Sequence, residues 1–410
     1  MPALLSTGQP TTTPTPTDDG RRAANAAAVL RAVLDRGPVA RSTVGRLTGL
    51  SAGAVSRQLA ELADLGLVRD RPLRATRSVV GRPHVPVDVD TRRHVVAGVH
   101  VAVLHATLVL MDLRGRVLVE ERVPHLPDRT PAELVAELGT RMGAFLAEHA
   151  EGRRPLGVGV ATGGWVDPAR GVVVRHHRLG WRDVPVGPAL EAALGLPVRV
   201  ESHARALARA EQLIGAERGR ARTSLVHLFV GNVVDAAIAT CGTVHQGPGA
   251  AAGDVSHLPV GGCTPCPCGR TGCFEATVAE RTLARRAVEE GRLRTPRFSD
   301  VLAALGAGER WAVALFRERA RAIGRAAALL VDVINPEILV VCEAGTARRP
   351  ELLDDLREEV ALRSHVCADP GRTVVSGSFG ARALGVAAGS VVLHETYTRP
   401  LDLGTRGSGM

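Results

Sequence analysis

The hydrophobic pattern of the chain changes near residue 91, and this change constrains the fold more than any other feature. Before it, apolar residues recur at helical spacing in three short segments; after it, they alternate or run together as they do in strands. A chain of 410 residues is also too long for one compact core. The sequence therefore predicts a Thr/Pro-rich disordered tail over residues 1–20, a helical domain over residues 21–90 and a larger α/β region after it.

The three helical segments predict a helix-turn-helix. The first, Arg21–Arg36, stops at Gly37-Pro38, and a short second segment covers about Ser42–Thr48. The third is capped by Ser51 and runs to Leu65. The face at its start is predicted to enter the major groove of DNA, and it consists of Ser51, Ala52, Gly53, Ser56 and Arg57.

A wing is predicted to follow the third helix. A strand at Leu67–Arg69 and a return strand near Val85–Val87 flank an arginine-rich loop. Gly81 and Arg82, in the sequence Gly-Arg-Pro, are predicted to enter a minor groove. Residues 1–94 hold 14 arginines against 8 acidic residues, which favours double-stranded DNA as the partner. The alternative is a helix-turn-helix that binds protein, with an ordinary turn at Gly-Arg-Pro.

The larger region begins with a predicted antiparallel meander. Its strands cover Val95–Leu104, Thr107–Asp112 and Arg116–Arg122. A helix that starts with a capping box follows from Thr130 to about His149. Strands and helices continue to alternate along the rest of the chain, which predicts an α/β architecture.

No segment of the sequence predicts a membrane span. The longest apolar stretch, Val95–Met111, is interrupted by His100 and His105 and is rich in β-branched residues, so it is interpreted as strands. The N-terminus lacks the charged-then-apolar layout of a signal peptide. We therefore expect a cytoplasmic protein with no membrane partner.

A cysteine cluster predicts a metal site. Three thiols lie close together in the segment Cys266-Pro-Cys268-Gly-Arg-Thr-Gly-Cys273, whose glycines let the loop fold back. Zinc commonly takes four thiolate and imidazole ligands in a tetrahedron, and the fourth ligand here is either His257 or Cys263. The pattern implies no open coordination position, so the expected role is structural or allosteric. The alternative is a loop with three reduced thiols.

Together these features resemble the ROK family (repressor, open reading frame, kinase), and specifically its winged-helix regulators, over about residues 21–395. The segments Asp254-Val-Ser-His257 and Cys266-x-Cys268-Gly-x-x-Gly-Cys273-x-Glu275 are similar to the family's Glu-x-Gly-His and Cys-x-Cys-Gly-x-x-Gly-Cys-x-Glu signatures. Thr48-Gly49-Leu50-Ser51 resembles part of its DNA-reading unit, and Gly81-Arg82-Pro83 resembles its wing. The resemblance implies one zinc per chain, held by His257, Cys266, Cys268 and Cys273.

The resemblance also implies the fold of the larger region. We expect an actin-like, ribonuclease-H-like sugar-kinase fold of two lobes. The first lobe would comprise residues 91–205, completed by about residues 378–398. The second lobe would comprise residues 206–377 and carry the zinc loop.

The departures from the family's kinases predict a domain without kinase activity. His100, Ala102 and Leu104 stand in the first phosphate-binding turn, where the kinases have Asp-x-Gly-x-Thr. The other three departures are Asp235 in the second glycine-rich stretch, Cys342-Glu343-Ala344 in place of the adenosine-site glycines, and His203 in place of the catalytic aspartate. We therefore predict no ATP binding and no enzymatic activity.

The sugar pocket implied by the resemblance is partly retained. The positions that correspond to the family's sugar contacts are Ser202, His203, Asp254, His257 and Glu275. A sugar or a sugar phosphate is the expected effector, and His203 and His100 favour an anionic one. The predicted function is a homodimeric or tetrameric operator-binding regulator, a repressor, of carbohydrate-related genes. The alternatives are a ligand-independent DNA-binding protein with a zinc dimerisation domain and an active sugar kinase.

Overall fold

The computed structural model describes residues 18–71, 85–125 and 129–405. These residues fall into two compact units, one up to Asp90 together with the chain from Glu395 onward, and one over Thr91–His394. None of the helices in the described part of the chain combines the length and the apolarity needed to cross a bilayer.

The first unit contains three helices and a strand pair. Its elements are α1 (Asp18–Arg36), α2 (Arg41–Thr48), α3 (Ala52–Asp64), β1 (Val68–Asp70) and β2 (Val87–Val89). The predicted tail was wrong at its inner end, because Asp18 to Gly20 belong to α1. Asp18 and Asp19 lie in the first turn of that helix, where acidic side chains complement the helix dipole.

Local sequence explains how these helices are delimited. Gly49 ends α2 in the left-handed region, with φ of 70°, which an L side chain rarely adopts. The Ser51 hydroxyl then caps α3 by accepting the Ala54 N–H at 3.3 Å. The three helices bury an aliphatic core, whose members include Ala26, Val29, Leu30, Val33, Val44, Val55, Leu59 and Leu62.

The strand pair lies one to two residues further along the chain than predicted. β1 and β2 pair antiparallel, with Arg69 opposite Asp88. An isolated bridge between Val39 and Val87 joins the α1–α2 connection to β2. The pairing of short strands around a helix-turn-helix is that of a winged helix. The loop tip that would carry Gly81 and Arg82 lies outside the described residues.

The second unit begins with a five-stranded sheet. The elements from this sheet to the helix α6 are β3 (His94–Val101), β4 (His105–Asp112), β5 (Val117–Pro124), α4 (Pro131–His149), β6 (Arg154–Thr162), β7 (Trp165–Asp167), β8 (Val172–His176), β9 (Trp181–Val184), α5 (Val186–Leu194), β10 (Val198–Ser202) and α6 (His203–Ile214). The order β10-β6-β3-β4-β5 contains the predicted meander β3-β4-β5 and places β6 and β10 parallel to β3. The small sheet β7-β8-β9 was not predicted, because its strands are only three to five residues long.

The rest of the chain builds a second five-stranded sheet and its helices. The elements are α7 (Arg218–Thr223), β11 (Ser224–Val230), β12 (Val234–Thr240), β13 (Thr243–Val244), α8 (Phe274–Val278), α9 (Glu280–Glu289), α10 (Phe298–Ala307), α11 (Arg310–Ile334), β14 (Ile338–Glu343), α12 (Ala344–Arg348), α13 (Leu352–Arg363), α14 (Pro370–Thr373) and β15 (Val374–Ser376). After them come α15 (Ala383–Thr398), which packs on the first sheet, and α16 (Asp402–Thr405), which belongs with the chain from Glu395 onward to the first unit. The strand order is β13-β12-β11-β14-β15. α8 and α11 pack on this sheet in one large aliphatic core.

Helix α6 connects the two sheets. Ala204 and Ala208 pack in a cluster with Leu225 of the second sheet. Leu207 packs in another cluster, with Ala161 of the first sheet and with α15. α15 lies so close to the first sheet that a Cβ atom on Gly159 would come 2.0 Å from the Ala388 carbonyl oxygen. Two such sheets with a shared helix form the two-lobed, actin-like fold that the resemblance implies.

Candidate functional site

The start of α3 presents a polar and small-residue face to solvent. Val55, Leu59 and Leu62 point into the core of the first unit. The opposite face is exposed, and it contains all five predicted groove-facing residues, Ser51, Ala52, Gly53, Ser56 and Arg57. A Cβ atom on Gly53 would meet no protein atom within 4 Å. Packing within this chain therefore does not require a glycine at that position.

Nearby arginines are partly engaged within the first unit. Arg71 pairs with the buried Asp88 at 2.9 Å, and Arg41 pairs with Asp70 at 3.0 Å. Arg71 was predicted as part of the arginine-rich loop, but here it anchors the end of β1 to β2. Arg57, in contrast, is an exposed residue of α3.

Four predicted metal ligands converge in the second unit. Ligand atoms of His257, Cys266, Cys268 and Cys273 all lie within 4.8 Å of one another. The distance from His257 Nδ1 to Cys266 Sγ is 3.6 Å, and that from Cys268 Sγ to Cys273 Sγ is also 3.6 Å. Tetrahedral zinc with bonds of about 2.0–2.3 Å places its ligands roughly 3.5–3.8 Å apart, so the donor set fits the ion. Cys263 is exposed and lies outside this group.

The loop that carries these ligands is held by tight turns. The Cys266 N–H donates to the Arg270 carbonyl at 2.8 Å, and the Gly272 N–H donates to the Thr264 carbonyl at 2.9 Å. Gly272 has φ of 67°, and a Cβ atom there would lie 2.8 Å from the Gly261 carbonyl oxygen. Glycine is therefore required where the loop folds back.

The electrostatics of the loop favour a bound cation. A hydrogen bond with the Arg270 side chain lowers the pKa of the Cys268 thiol to about 6, which favours the thiolate that binds metal. Burial raises the pKa of Cys273 to about 11. A metal ion would offset that effect, because a coordinating thiol is deprotonated.

Three buried imidazoles gather where the two sheets approach each other. His100 Nε2 lies 3.4 Å from His203 Nδ1, and the two rings stack. His176 Nδ1 accepts the Leu179 N–H at 3.1 Å, so the neutral ring of His176 carries its proton on Nε2. That Nε2 and the Cε1 atom of His203 would both lie within 4 Å of a Cβ atom placed on Gly163, so the two rings converge on this glycine. We call His100, His176 and His203 the histidine cluster.

The protonated, positively charged forms of the rings are destabilised in the histidine cluster. Burial, followed by the charge of His203, lowers the pKa of His100 well below its ordinary value. The same two causes lower the pKa of His176 to about 4. A nearby anion would oppose both effects, because it stabilises the protonated rings.

Asp235 supplies such an anion from within the chain. Its Oδ2 atom lies 2.9 Å from His203 Nε2, although the two groups are not aligned for a hydrogen bond. Val233 also approaches the first sheet, because its Cγ2 atom would lie 2.7 Å from a Cβ atom placed on Gly163. The Asn232 side chain donates to Glu280 at 3.1 Å. Val233 and Asp235 therefore reach from the start of β12 toward the end of β6 and His203.

Two of the other predicted effector-binding residues, Asp254 and Glu275, contact the segment 231–235, whereas His257 lies in the metal group. An isolated bridge pairs Asp235 with Asp254, whose carboxylate accepts from the Ser256 N–H at 3.0 Å. Glu275 accepts from Arg281 at 2.8 Å and from the Val234 N–H at 3.4 Å. Ser202 is buried, and its hydroxyl accepts the Arg205 N–H at the start of α6. His176 was not singled out from the sequence, because only the fold of the small sheet brings it to the cluster.

A buried ion pair occupies the position that corresponds to the adenosine-site glycines. The Glu343 carboxylate accepts the Gly345 N–H at 2.7 Å and also the Thr346 N–H, so it caps α12. The same carboxylate pairs with Arg319. Arg319 in turn donates to the Val278 and Val230 carbonyls at 2.8 and 3.0 Å. These contacts satisfy both charged groups within the protein.

The fold and the sites define a winged-helix protein with a two-lobed, sugar-kinase-like domain. Comparison with known proteins agrees, because the sequence model of the ROK family matches residues 96–389. The chain is 36% identical over 388 residues to transcriptional regulator Rv0485 of Mycobacterium tuberculosis, with 92% of this chain and 86% of that protein covered. It is 27% identical over 329 residues to the N-acetylglucosamine repressor of Escherichia coli O157:H7, with 77% and 79% covered.

A solved structure matches nearly the whole chain. It is a ROK family transcriptional regulator, a homologue of the E. coli MLC protein, with a TM-score of 0.77 and 21% identity, and the match covers 93% of this chain and 98% of that one. This likeness supports the fold of both units. The protein belongs to the ROK family.

Proposed function

We propose that this protein is a DNA-binding transcriptional regulator, a repressor of carbohydrate-related genes, which works in the cytoplasm as a homodimer or tetramer. The observation that carries the proposal is the exposed face of α3. Its five predicted groove-facing residues are small, polar or basic, and the opposite side of the helix is buried in the first unit. The names of Rv0485 and of the N-acetylglucosamine repressor support the same function.

DNA recognition follows from the chemistry of this face. The small residues Ala52 and Gly53 permit a close approach to the groove, and Ser56 can donate or accept hydrogen bonds. Arg57 offers a planar guanidinium that recognises guanine or a phosphate through two hydrogen bonds. We assign Gly81 and Arg82 to the minor groove beside it, as predicted from the sequence.

Operator binding tests this proposal. Arg57→Ala and Arg82→Ala should each weaken binding to a selected operator by about 1–3 kcal/mol at fixed salt, since each removes a groove contact. Arg36→Ala is the matched control, because Arg36 is also exposed in the first unit but lies at the far end of α1. Unchanged affinity in both test variants would overturn the docking arrangement, and a wild-type protein that selects no operator would overturn the function.

The kinase-like domain of this proposal senses a ligand and does not transfer phosphoryl groups. Phosphoryl transfer requires a positioned nucleotide and a free base near the sugar hydroxyl. Here the base position holds His203 in contact with Asp235, and the carboxylate of Asp235 would repel a nucleotide phosphate. Glu343 adds a second carboxylate, paired with Arg319, at the adenosine-site position.

The proposed effector is a sugar or a sugar phosphate bound between the lobes. Asp254, His257 and Glu275 offer polar groups to sugar hydroxyls. The histidine cluster favours an anionic group on the ligand, because Asp235 already fulfils that role in the structure. An anionic effector would compete with Asp235 for His203 and displace the segment 231–235.

The proposed metal is one zinc ion per chain, held by Cys266, Cys268, Cys273 and Nδ1 of His257. The ion would crosslink the loop over residues 257–273 and supply no reactive position, because protein groups would fill all four ligand sites. Nε2 of His257 remains free to contact the effector. This residue would therefore link effector binding to the metal loop.

A further inference from the structure

A row of three exposed residues crosses the small sheet β7-β8-β9. Trp165 on β7 lies directly opposite Arg175 on β8, and Arg175 lies directly opposite Arg182 on β9. Residues that pair directly in antiparallel strands present their side chains on the same face of the sheet, and all three are exposed. We call these three residues the Trp–Arg row. The next residue along β8, His176, is buried, so the row lies on the opposite side of that strand from the histidine cluster.

The two arginines of the Trp–Arg row have no anionic partner within the chain. Like charges directly opposite each other on adjacent strands are destabilising. Among the residues that the structure describes, no carboxylate forms an ion pair with Arg175 or Arg182, not even that of the neighbouring Asp183. The Asp167 carboxylate on β7 instead accepts the Ala169 N–H at 3.0 Å. An anionic group from outside the chain would therefore stabilise this pair of guanidinium groups.

The indole of Trp165 is fixed in place by hydrogen bonds within the chain. Its Nε1–H donates to the Gly249 carbonyl at 2.7 Å. The buried Arg205 donates to the Val166 and Ala250 carbonyls at 2.9 Å each, and these two residues follow Trp165 and Gly249 in the sequence. Trp165 nevertheless remains 42% exposed. A preformed aromatic surface loses little conformational entropy when a ligand packs on it.

An exposed indole beside two unpaired arginines fits a ring that carries an anionic group. One face of a pyranose ring presents C–H groups that pack on an indole, and a carboxylate or a phosphate accepts hydrogen bonds from guanidinium groups. Single-stranded nucleic acid also combines rings with anionic groups, but its successive bases need successive aromatic side chains. In the described part of the chain, Trp165 is the only aromatic residue among the large apolar ones that are exposed. The row therefore fits a single ring better than a nucleic acid strand.

We propose that the Trp–Arg row binds an acidic pyranose, which is a sugar ring with a carboxylate or a phosphate group. The ring would stack on Trp165, and the anionic group would bridge Arg175 and Arg182. This site is separate from the proposed effector site at the histidine cluster, and the choice of a sugar as its ligand rests on the proposed function. Trp165 follows β6 of the first sheet and Gly249 follows β13 of the second, so the site also lies at a contact between segments of the two sheets.

Calorimetry with the full chain tests this site. Glucuronate and glucose 6-phosphate supply the two anionic groups, and glucose is the neutral probe. At fixed ionic strength at least one of the acidic sugars should bind, and glucose should bind about tenfold more weakly or less. Arg175→Gln combined with Arg182→Gln should weaken the binding of the acidic sugar by about tenfold or more, because charge-assisted hydrogen bonds are lost. Arg170→Gln is the matched control, since Arg170 is an exposed arginine between β7 and β8 outside the row, and it should bind as the wild type does.

Two substitutions of Trp165 separate ring stacking from local structure. Trp165→Phe and Trp165→Ala both lose the hydrogen bond to Gly249, but only Trp165→Ala loses the aromatic ring. The acidic sugar should therefore bind to Trp165→Phe within about threefold of its wild-type affinity and to Trp165→Ala about tenfold more weakly. Equal affinities of these two variants would show that no ring stacks on the indole and would overturn the assignment.

The other contradicting results are equally specific. Wild-type affinity in the double arginine variant would place all binding of acidic sugars at the histidine cluster, and a wild-type protein that binds neither acidic sugar would remove the site. An oligothymidylate that binds more tightly than both sugars, and loses that binding in the double variant, would assign the row to nucleic acid instead. A protein that selects an operator but binds no acidic sugar contradicts this inference alone, whereas one that binds the sugar but selects no operator contradicts the proposed function alone.

Discussion

His203 Nε2 lies 2.9 Å from Asp235 Oδ2, so the residue predicted to replace the kinase base contacts a residue of the predicted second phosphate-binding stretch. His100 extends this contact from the other side, at 3.4 Å from His203 Nδ1. A carboxylate of the chain thus lies against the histidine cluster. In the proposed function, an anionic ligand has to displace this carboxylate.

The first prediction concerns Asp235 as a competitor for anions. Asp235→Ala should tighten the binding of a phosphate or a sugar phosphate by about tenfold, which is 1.4 kcal/mol, because the histidine cluster loses its internal anion. Calorimetry with inorganic phosphate and a hexose 6-phosphate panel measures this. Glu191→Ala, an equal charge change at an exposed site on α5, should have no effect. Equal anion affinity in both variants would show that Asp235 is not a competitor.

The second prediction is the absence of kinase chemistry. At millimolar ATP, the wild-type protein should bind no nucleotide and should phosphorylate no hexose or amino sugar, since Asp235 would repel the phosphates, the Arg319–Glu343 pair replaces the adenosine-site glycines and His203 is not free. A coupled assay and direct detection of sugar phosphate measure this. ATP-dependent product above that of a heat-denatured sample would overturn the non-enzymatic assignment.

The histidine cluster could be predicted from the sequence only in part. His100 and His203 were identified because they replace residues at recognisable motif positions. The contact between His203 and Asp235 could not be predicted, because it depends on how the start of α6 meets β12 of the second sheet. His176 carries no motif and reaches the cluster only through the small sheet β7-β8-β9.

Local features were more predictable than long-range ones. Ser51 as a cap and Thr130 with Glu133 as a capping box are encoded within a few residues, and the structure contains both. The spacing of Cys266, Cys268 and Cys273 likewise constrains a single loop. The wing strands were placed one to two residues early, because strands of three residues leave little periodicity to fix their register.

The third prediction concerns zinc. Purified protein should contain about one zinc per chain, and Cys268→Ser should lose it because three donors remain. Elemental analysis gives the metal content, and thermal unfolding with and without a chelator gives its contribution to stability. Cys263→Ser is the control, since Cys263 is exposed and lies outside the ligand group, and it should keep the metal. Folded wild-type protein without metal would remove the site.

The fourth prediction concerns the buried pair of Arg319 and Glu343. Arg319→Met should destabilise the second unit by about 3–5 kcal/mol, because it leaves a buried carboxylate without its partner. Arg317 lies on the same helix as Arg319, is half-exposed and lies 3.5 Å from Asp355 of α13, so Arg317→Met should cost about 1 kcal/mol or less. Urea unfolding of both variants measures the difference. Similar losses in the two variants would contradict a structural role for the Arg319 pair.

The fifth prediction separates folding from DNA binding at Gly53. Gly53→Ala should stabilise the first unit by up to about 1 kcal/mol, because alanine favours the helix and the new Cβ would meet nothing within 4 Å outside the helix's own backbone and the adjacent residues. Operator affinity should nevertheless fall by about tenfold, since the methyl group occupies space that the groove needs. Gly219→Ala makes the same change in α7 of the second unit, again with no protein atom within 4 Å, and should leave operator affinity unchanged. Thermal unfolding measures the effect on stability, and a binding titration at fixed salt measures the effect on operator affinity. A Gly53→Ala protein with wild-type operator affinity would show that the start of α3 does not approach DNA closely.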